Sequence, residues 1–98
     1  MNTQKLKGIL GLSVRAGQAG FGEDVCRRML DGRRCGMIFL DEEASTNTRR
    51  RYEQHCRRAG ARLVILPAGF ICEATGRPNM AMSLGKGTFA EQAEGCLE

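Results

Sequence analysis

Between Arg33-Arg34 and Asp41-Glu42-Glu43 lies Cys35-Gly36-Met37-Ile38-Phe39-Leu40, an unbroken apolar run of strand length. A strand with one face in water alternates polar and apolar residues, whereas a run without alternation has to be covered on both faces. The segment therefore predicts a central strand with helices above and below it. Arg62-Leu63-Val64-Ile65-Leu66 is a second buried strand by the same reasoning. Much of the remaining chain must then supply the covering layers.

It has the pattern to do so. Asn2 or Thr3 can cap a first helix in which Leu6, Ile9, Leu10 and Ser13-Val14 recur at helical spacing. Gly8 and Gly11 permit close packing on a neighbour, and Gly17 suits a left-handed stop. Gln18 to Phe21 reads as a short strand. Gly22 to Leu30 reads as a second helix, with Val25, Met29 and Leu30 inward, closed by Asp31-Gly32. Ser45, Thr46 or Thr48 can cap a third helix running through Arg58, with Tyr52, His55, Cys56 and Ala59 on one stripe and Ala59-Gly60 as its stop. Pro67-Ala68-Gly69 break the pattern after the second apolar run. Phe70 to Ala74 form a short helix ending at Thr75-Gly76, and Arg77-Pro78-Asn79 are loop. Met80 to Leu84 is a last strand, and Gly85-Lys86-Gly87 turn into a final helix from Thr88, with Phe89, Ala90 and Ala93 inward. Helices and strands alternate throughout, which predicts an α/β fold: a three-layer α/β/α sandwich on a four-stranded mixed sheet. At 98 residues, with no linker or repeat, residues 1–98 are expected to form a single domain.

Several classes of chemistry fit poorly. No stretch approaches a membrane span, and the N-terminal pattern around Lys5 and Lys7 is not that of a signal peptide. Five scattered cysteines (Cys26, Cys35, Cys56, Cys72, Cys96) include no Cys-x-x-Cys pair, so reduced thiols in a cytoplasmic protein are expected rather than a disulfide framework or a zinc site. His55 and Cys56 are neighbours on a helix and point about 100° apart, a poor geometry for a base and its thiol. Gly85-Lys86-Gly87-Thr88 lacks the earlier glycine of a phosphate loop and reads as a turn and cap. No enzyme, metal or cofactor is expected.

What remains is basic charge. The net charge is +4, and twelve of the fifteen basic residues are arginine, the side chain suited to phosphates and base edges. They fall at Arg15, Arg27-Arg28, Arg33-Arg34, Arg49-Arg50-Arg51, Arg57-Arg58, Arg62 and Arg77. Those of the third helix are explained by a solvated face. Arg15, Arg27, Arg28 and Arg77 are more telling, because each sits near a loop or a helix start. Gly20-Phe21-Gly22-Glu23-Asp24 leads straight into Arg27-Arg28. The opening N–H groups of a helix have no partner within it and carry partial positive charge. Gly22 lets another molecule approach them, and Asp24 shares a face with Arg27 or Arg28. A carboxylate and a guanidinium placed there can accept from base edges and donate to phosphates. The plain alternative is an ordinary strand–turn–helix with a charged surface.

Three segments together carry a resemblance. They are Lys5-Leu6-Lys7-Gly8-Ile9-Leu10-Gly11-Leu12-Ser13-Val14-Arg15-Ala16-Gly17 with Gly22-Glu23-Asp24; Ile38 to Arg51 through Asp41-Glu42-Glu43-Ala44-Ser45-Thr46-Asn47-Thr48; and Ala74-Thr75-Gly76-Arg77 with Met80-Ala81-Met82-Ser83 and Gly87-Thr88-Phe89-Ala90. In combination the chain resembles the kink-turn RNA-binding ribosomal protein family (the L-seven-A-e / L-thirty-e type), in its small bacterial branch. That resemblance implies a single α/β/α domain that binds RNA without catalysis; a structured RNA is the expected partner, with ribosome association and a monomeric state as further expectations. It implies a site at the strand-to-helix junction, where Glu23 takes the place of an asparagine, Asp24 of a glutamate and Arg27 of a lysine, beside Gly22 and Arg28. It further implies a second wall at Asp41, Glu42 and Glu43, and a third at Arg77, Pro78, Asn79 and Met80. The third would lay an apolar edge on a flipped-out base, although Met80 can equally be core. Asp24 can accept both N–H groups of a guanine edge, and Arg27 can reach a phosphate or a purine. Unstacked RNA loops and bulges present such edges. Glu23 is a departure, since a carboxylate cannot donate as an amide does and it faces a polyanion. Glu23 and the acidic loop favour the competing reading, a protein-interaction subunit that keeps the fold without RNA recognition. A thiol-dependent enzyme is a distant third.

Overall fold

The central apolar run forms β2 (Cys35–Asp41), and its side chains alternate between two separate cores. The computed structural model of the protein describes residues 1–97; Glu98, the last residue of the expected domain, lies outside the described residues. Met37 and Phe39 point into one core with Leu6, Ile9 and Leu10, Phe70 and Ile71, and Ala93 and Cys96. Ile38 and Leu40 point into the other with Cys26, Leu30, Tyr52 and Cys56. The elements on the first side are α1 (Thr3–Arg15), α4 (Phe70–Thr75) and α5 (Thr88–Gly95). Those on the second are α2 (Glu23–Asp31) and α3 (Thr46–Ala59). The sheet lies between, so the architecture is the expected α/β/α sandwich.

The sheet adds β1 (Ala19–Phe21), β3 (Arg62–Leu66) and β4 (Ala81–Gly85), in the order β1-β4-β2-β3. β2 runs parallel to β3, with Phe39 opposite Val64, and antiparallel to β4, with Phe39 opposite Met82. β1 pairs antiparallel with β4, placing Gly20 opposite Ser83. The sheet is mixed: β2 returns to the parallel β3 through α3, whereas the chain passes from β3 through α4 into β4, antiparallel to β2.

The helix ends show why these segments fold as they do. Asn2 is the cap of α1, its Oδ1 accepting from the Lys5 N–H at 3.1 Å, and Ser45 is the cap of α3, accepting from the Thr48 N–H at 3.1 Å. Gly60 stops α3 in the left-handed region at φ +72°. Element boundaries differ from the sequence reading by a residue: β1 starts at Ala19 and α2 spans Glu23–Asp31. Met80 lies outside β4, which runs one residue later, to Gly85. In α2 the fully buried residue beside Leu30 is Cys26, with Met29 only part-buried against the same cluster. Cys26 and Leu30 lie four apart and so share the inner face of α2, the thiol packing there as a small apolar group in place of the expected Val25.

Candidate nucleic-acid interface

β1 ends at Phe21, and the chain turns at Gly22 (φ 87°, ψ 162°) directly into α2. That backbone conformation lies outside the range an L side chain readily takes. The turn is held by the Gly22 N–H donating to the Ala81 carbonyl at 3.2 Å and by the Cys26 N–H closing on the Gly22 carbonyl at 3.0 Å. No side chain caps α2, so its first-turn N–H groups stay open, with Glu23 and Asp24 as its acidic start.

Glu23, Asp24 and Arg27 line one cleft, whose far wall is Arg51, Tyr52 and His55 of α3. Arg51 Nη2 lies 3.3 Å from Glu23 Oε1 and 3.2 Å from Thr48 Oγ1. The acidic charge at residue 23 is thus answered by a cation. Arg28 is directed elsewhere: its Nε reaches back to the Asp24 carbonyl at 3.4 Å.

The loop between α4 and β4 closes on the same corner. The Asn79 amide nitrogen lies 3.8 Å from where a side chain on Gly22 would begin. The Arg77 guanidinium stacks over the Phe21 ring, 4.4 Å from its centre. That pairing holds the cation while leaving its N–H edge free. Pro78 is exposed between them, and Met80 is 43% exposed, which resolves its two readings in favour of a surface residue. The Met80 carbonyl accepts the Asp41 N–H at 2.8 Å, tying this loop to the end of β2.

The acidic wall requires a correction. Asp41 is buried, the last residue of β2, with both oxygens engaged: Oδ1 accepts from the Glu43 N–H at 2.8 Å and Oδ2 from the Gly69 N–H at 3.0 Å. It clamps two loops together and is not an open contact. Glu42 Oε1 accepts from the Ala68 N–H at 3.1 Å. Glu43 is exposed, and among the described residues no hydrogen bond or ion pair holds its carboxylate. The reason lies in the fold: β2 and β3 are parallel and end side by side, so the acids after β2 meet the unpartnered N–H groups of the turn after β3.

Sequence reasoning missed Phe21, Arg51, Tyr52 and His55 as parts of this corner. In the sequence Phe21 is simply an aromatic between two glycines, and Arg51 is one of several arginines on a solvated helix face. No local pattern links Arg51 to a glutamate 28 residues earlier.

All five cysteines are free. Burial pushes the Cys56 thiol up to about 11 and the Cys35 thiol up to about 12, and raises that of Cys26. These thiols are therefore protonated at neutral pH. The Tyr52 hydroxyl lies near Cys26 but meets no partner at hydrogen-bonding geometry, and burial raises its pKa as well. Among the described residues no helix is long and apolar enough to cross a membrane.

No protein-family model matches the sequence, and no curated protein is similar to it. Solved structures with the same fold exist at low identity. A Bacillus halodurans protein of unknown function is 17% identical, covers 95% of this chain and 96% of its own, and superposes with a TM-score of 0.89. A Giardia lamblia 15.5 kD RNA-binding protein is 12% identical over 97% of this chain and 87% of its own, with a TM-score of 0.75. An archaeal translation termination factor is 14% identical over 80% of this chain and 23% of its own, with a TM-score of 0.63. The chain thus shares its fold with an RNA-binding protein and with one part of a translation factor.

Proposed function

We propose that the protein binds structured RNA, without catalysis, through the start of α2 and the loop between α4 and β4, and that the RNA is a kink-turn or a similarly bent motif on or near the ribosome. The observation that carries this reading is the convergence at Gly22. An uncapped helix start, the Asp24 carboxylate, the Arg27 guanidinium, the Asn79 amide and the Arg77 cation on Phe21 stand at one corner. Donors, acceptors and a cationic stacking face are what an unstacked base and its flanking phosphates require. The exposed Met80 adds an apolar edge. The fold shared with a Giardia RNA-binding protein supports the same reading.

The competing reading, a protein-interaction subunit, drew on Glu23 and the acidic loop. Glu23 is paired with Arg51, and Asp41 and Glu42 are bonded to backbone N–H groups, so much less free acid faces the corner than the sequence suggests. An electrophoretic shift at low salt, with a kink-turn RNA beside an unkinked control, tests the proposal. A shift of the kink-turn RNA at lower protein concentration supports it, and equal failure on both RNAs removes it. Nuclease treatment of co-purified complexes separates the two readings, because a protein partner survives digestion.

A further inference from the structure

At the other end of the sheet, where β2 begins and β4 ends, Arg33, Arg34 and Lys86 line a groove with Gln18, Met29 and Gly85. The groove measures about 540 Å³, against about 110 Å³ for the cleft between α2 and α3. No carboxylate lines it. The ion pairs among the described residues are Lys7–Glu73, Arg51–Glu23 and Arg62–Glu94, so none of the three cations is neutralised by one.

Arg33 adds a second, independent observation. It has φ +53°, the one positive φ among the described residues other than glycine. The Arg33 N–H donates to the Leu30 carbonyl at 3.0 Å and the Arg34 N–H to the Met29 carbonyl at 2.9 Å. This pair of bonds ends α2 in the motif whose left-handed position normally belongs to glycine. Here glycine stands one residue early, at Gly32, where φ is −81° and the backbone angle does not call for glycine. An arginine stands where the backbone disfavours it, and a non-glycine residue held in that region points to a use for its side chain.

We propose that this groove is a second contact for the sugar–phosphate backbone of RNA, separate from the corner at Gly22. The nine residues of α2 separate the Gly22 corner from the Arg33 end by roughly 14 Å. One RNA can therefore be held at both ends of a protein only 28 Å across. Arg33, Arg34 and Lys86 supply charge without base-reading geometry, so this contact adds affinity and not sequence preference.

The test uses a kink-turn RNA with and without an oligouridine tail long enough to span the protein, and the tail alone. In the wild-type protein the tail tightens binding. The combined Arg33→Gly, Arg34→Ala, Lys86→Ala variant loses that gain, and the slope of log affinity against log salt for the tailed RNA becomes shallower by about 2, at about 0.7 per lost phosphate contact. Its affinity for the tail-less RNA is unchanged, which also shows that it folds. A tail that adds nothing, or a gain that survives the substitutions, overturns the proposal. Arg33→Gly alone is the second arm: it weakens tail binding while the melting temperature holds or rises. A lower melting temperature would show that the side chain serves the fold instead, and would overturn it. If the bare kink-turn RNA is not bound but the tail is, in a manner that depends on these cations, the reading of the Gly22 corner falls and this one stands.

Discussion

Arg51 of α3 reaches across to Glu23 at the first turn of α2, Nη2 to Oε1 at 3.3 Å, and so places a guanidinium beside one of the two acids at the helix start. Both side chains are more than half exposed, so the pair contributes less than about 1 kcal/mol to stability. Its consequence lies in binding. Arg51→Ala is expected to weaken RNA binding by uncovering the Glu23 charge, and Glu23→Gln to strengthen it. In a double-mutant cycle read by electrophoretic shift, the Arg51→Ala loss should shrink once residue 23 is glutamine.

Arg27 and Arg28 are adjacent but differently aimed. Arg27 faces the cleft, whereas Arg28 is turned onto the Asp24 carbonyl. Arg27→Ala is expected to cost about 1–3 kcal/mol of affinity for a kink-turn RNA and to narrow the difference from an unkinked control. Arg28→Ala should leave that difference intact. Equal losses from both would show that only net charge matters.

Asp41 joins two loops through two backbone N–H groups. Asp41→Ala should therefore destabilise the fold by about 1.5–3 kcal/mol, the range for hydrogen bonds to a charged group. Urea denaturation would show this as a lower midpoint with an unchanged slope. Glu43→Ala, an exposed neighbour, should shift the midpoint little.

The cysteines divide by burial. Cys72 is exposed, and the other four are buried. Alkylation of the native protein near neutral pH should label Cys72 alone, with the rest reacting only after unfolding. Stability should also fall in alkali. The Cys35 and Cys56 thiols ionise at about 12 and about 11 in the folded protein, against 9.0 ordinarily. Above pH 9 the unfolded chain loses these protons first, so the stability they contribute is lost as pH rises from 9 through 11 and 12. Denaturation midpoints measured across that range would check it.

Gly20 of β1 sits between Ser83 of β4 and the Val25 and Met29 side chains of α2. A side chain there would begin 2.6 Å from both Ser83 Oγ and Val25 Cγ1, and 3.0 Å from Met29 Sδ. Gly20→Ala should cost about 1–3 kcal/mol through overcrowding. Because Val25 and Met29 of α2 meet the added group, RNA binding should weaken along with the melting temperature.

The elements were legible because their signals are local. The unbroken apolar run of β2 demanded two covering layers, and glycines and caps at Asn2, Ser45 and Gly60 marked helix ends within a residue or so. The helix start at Gly22-Glu23-Asp24 was equally plain, since an acidic first turn after a glycine is written in consecutive residues. What the local pattern could not contain was the pairing of side chains that meet only after folding. Glu23 finds Arg51, Asp41 finds the turn at Gly69, and Asn79 comes to lie beside Gly22. Each of those contacts depends on strand order and helix placement, which bring together residues more than 25 positions apart. That is why the sequence by itself determined the layers and the strand-to-helix turn at Gly22, and only the tertiary structure decided which acids remain free and which cations stand beside them.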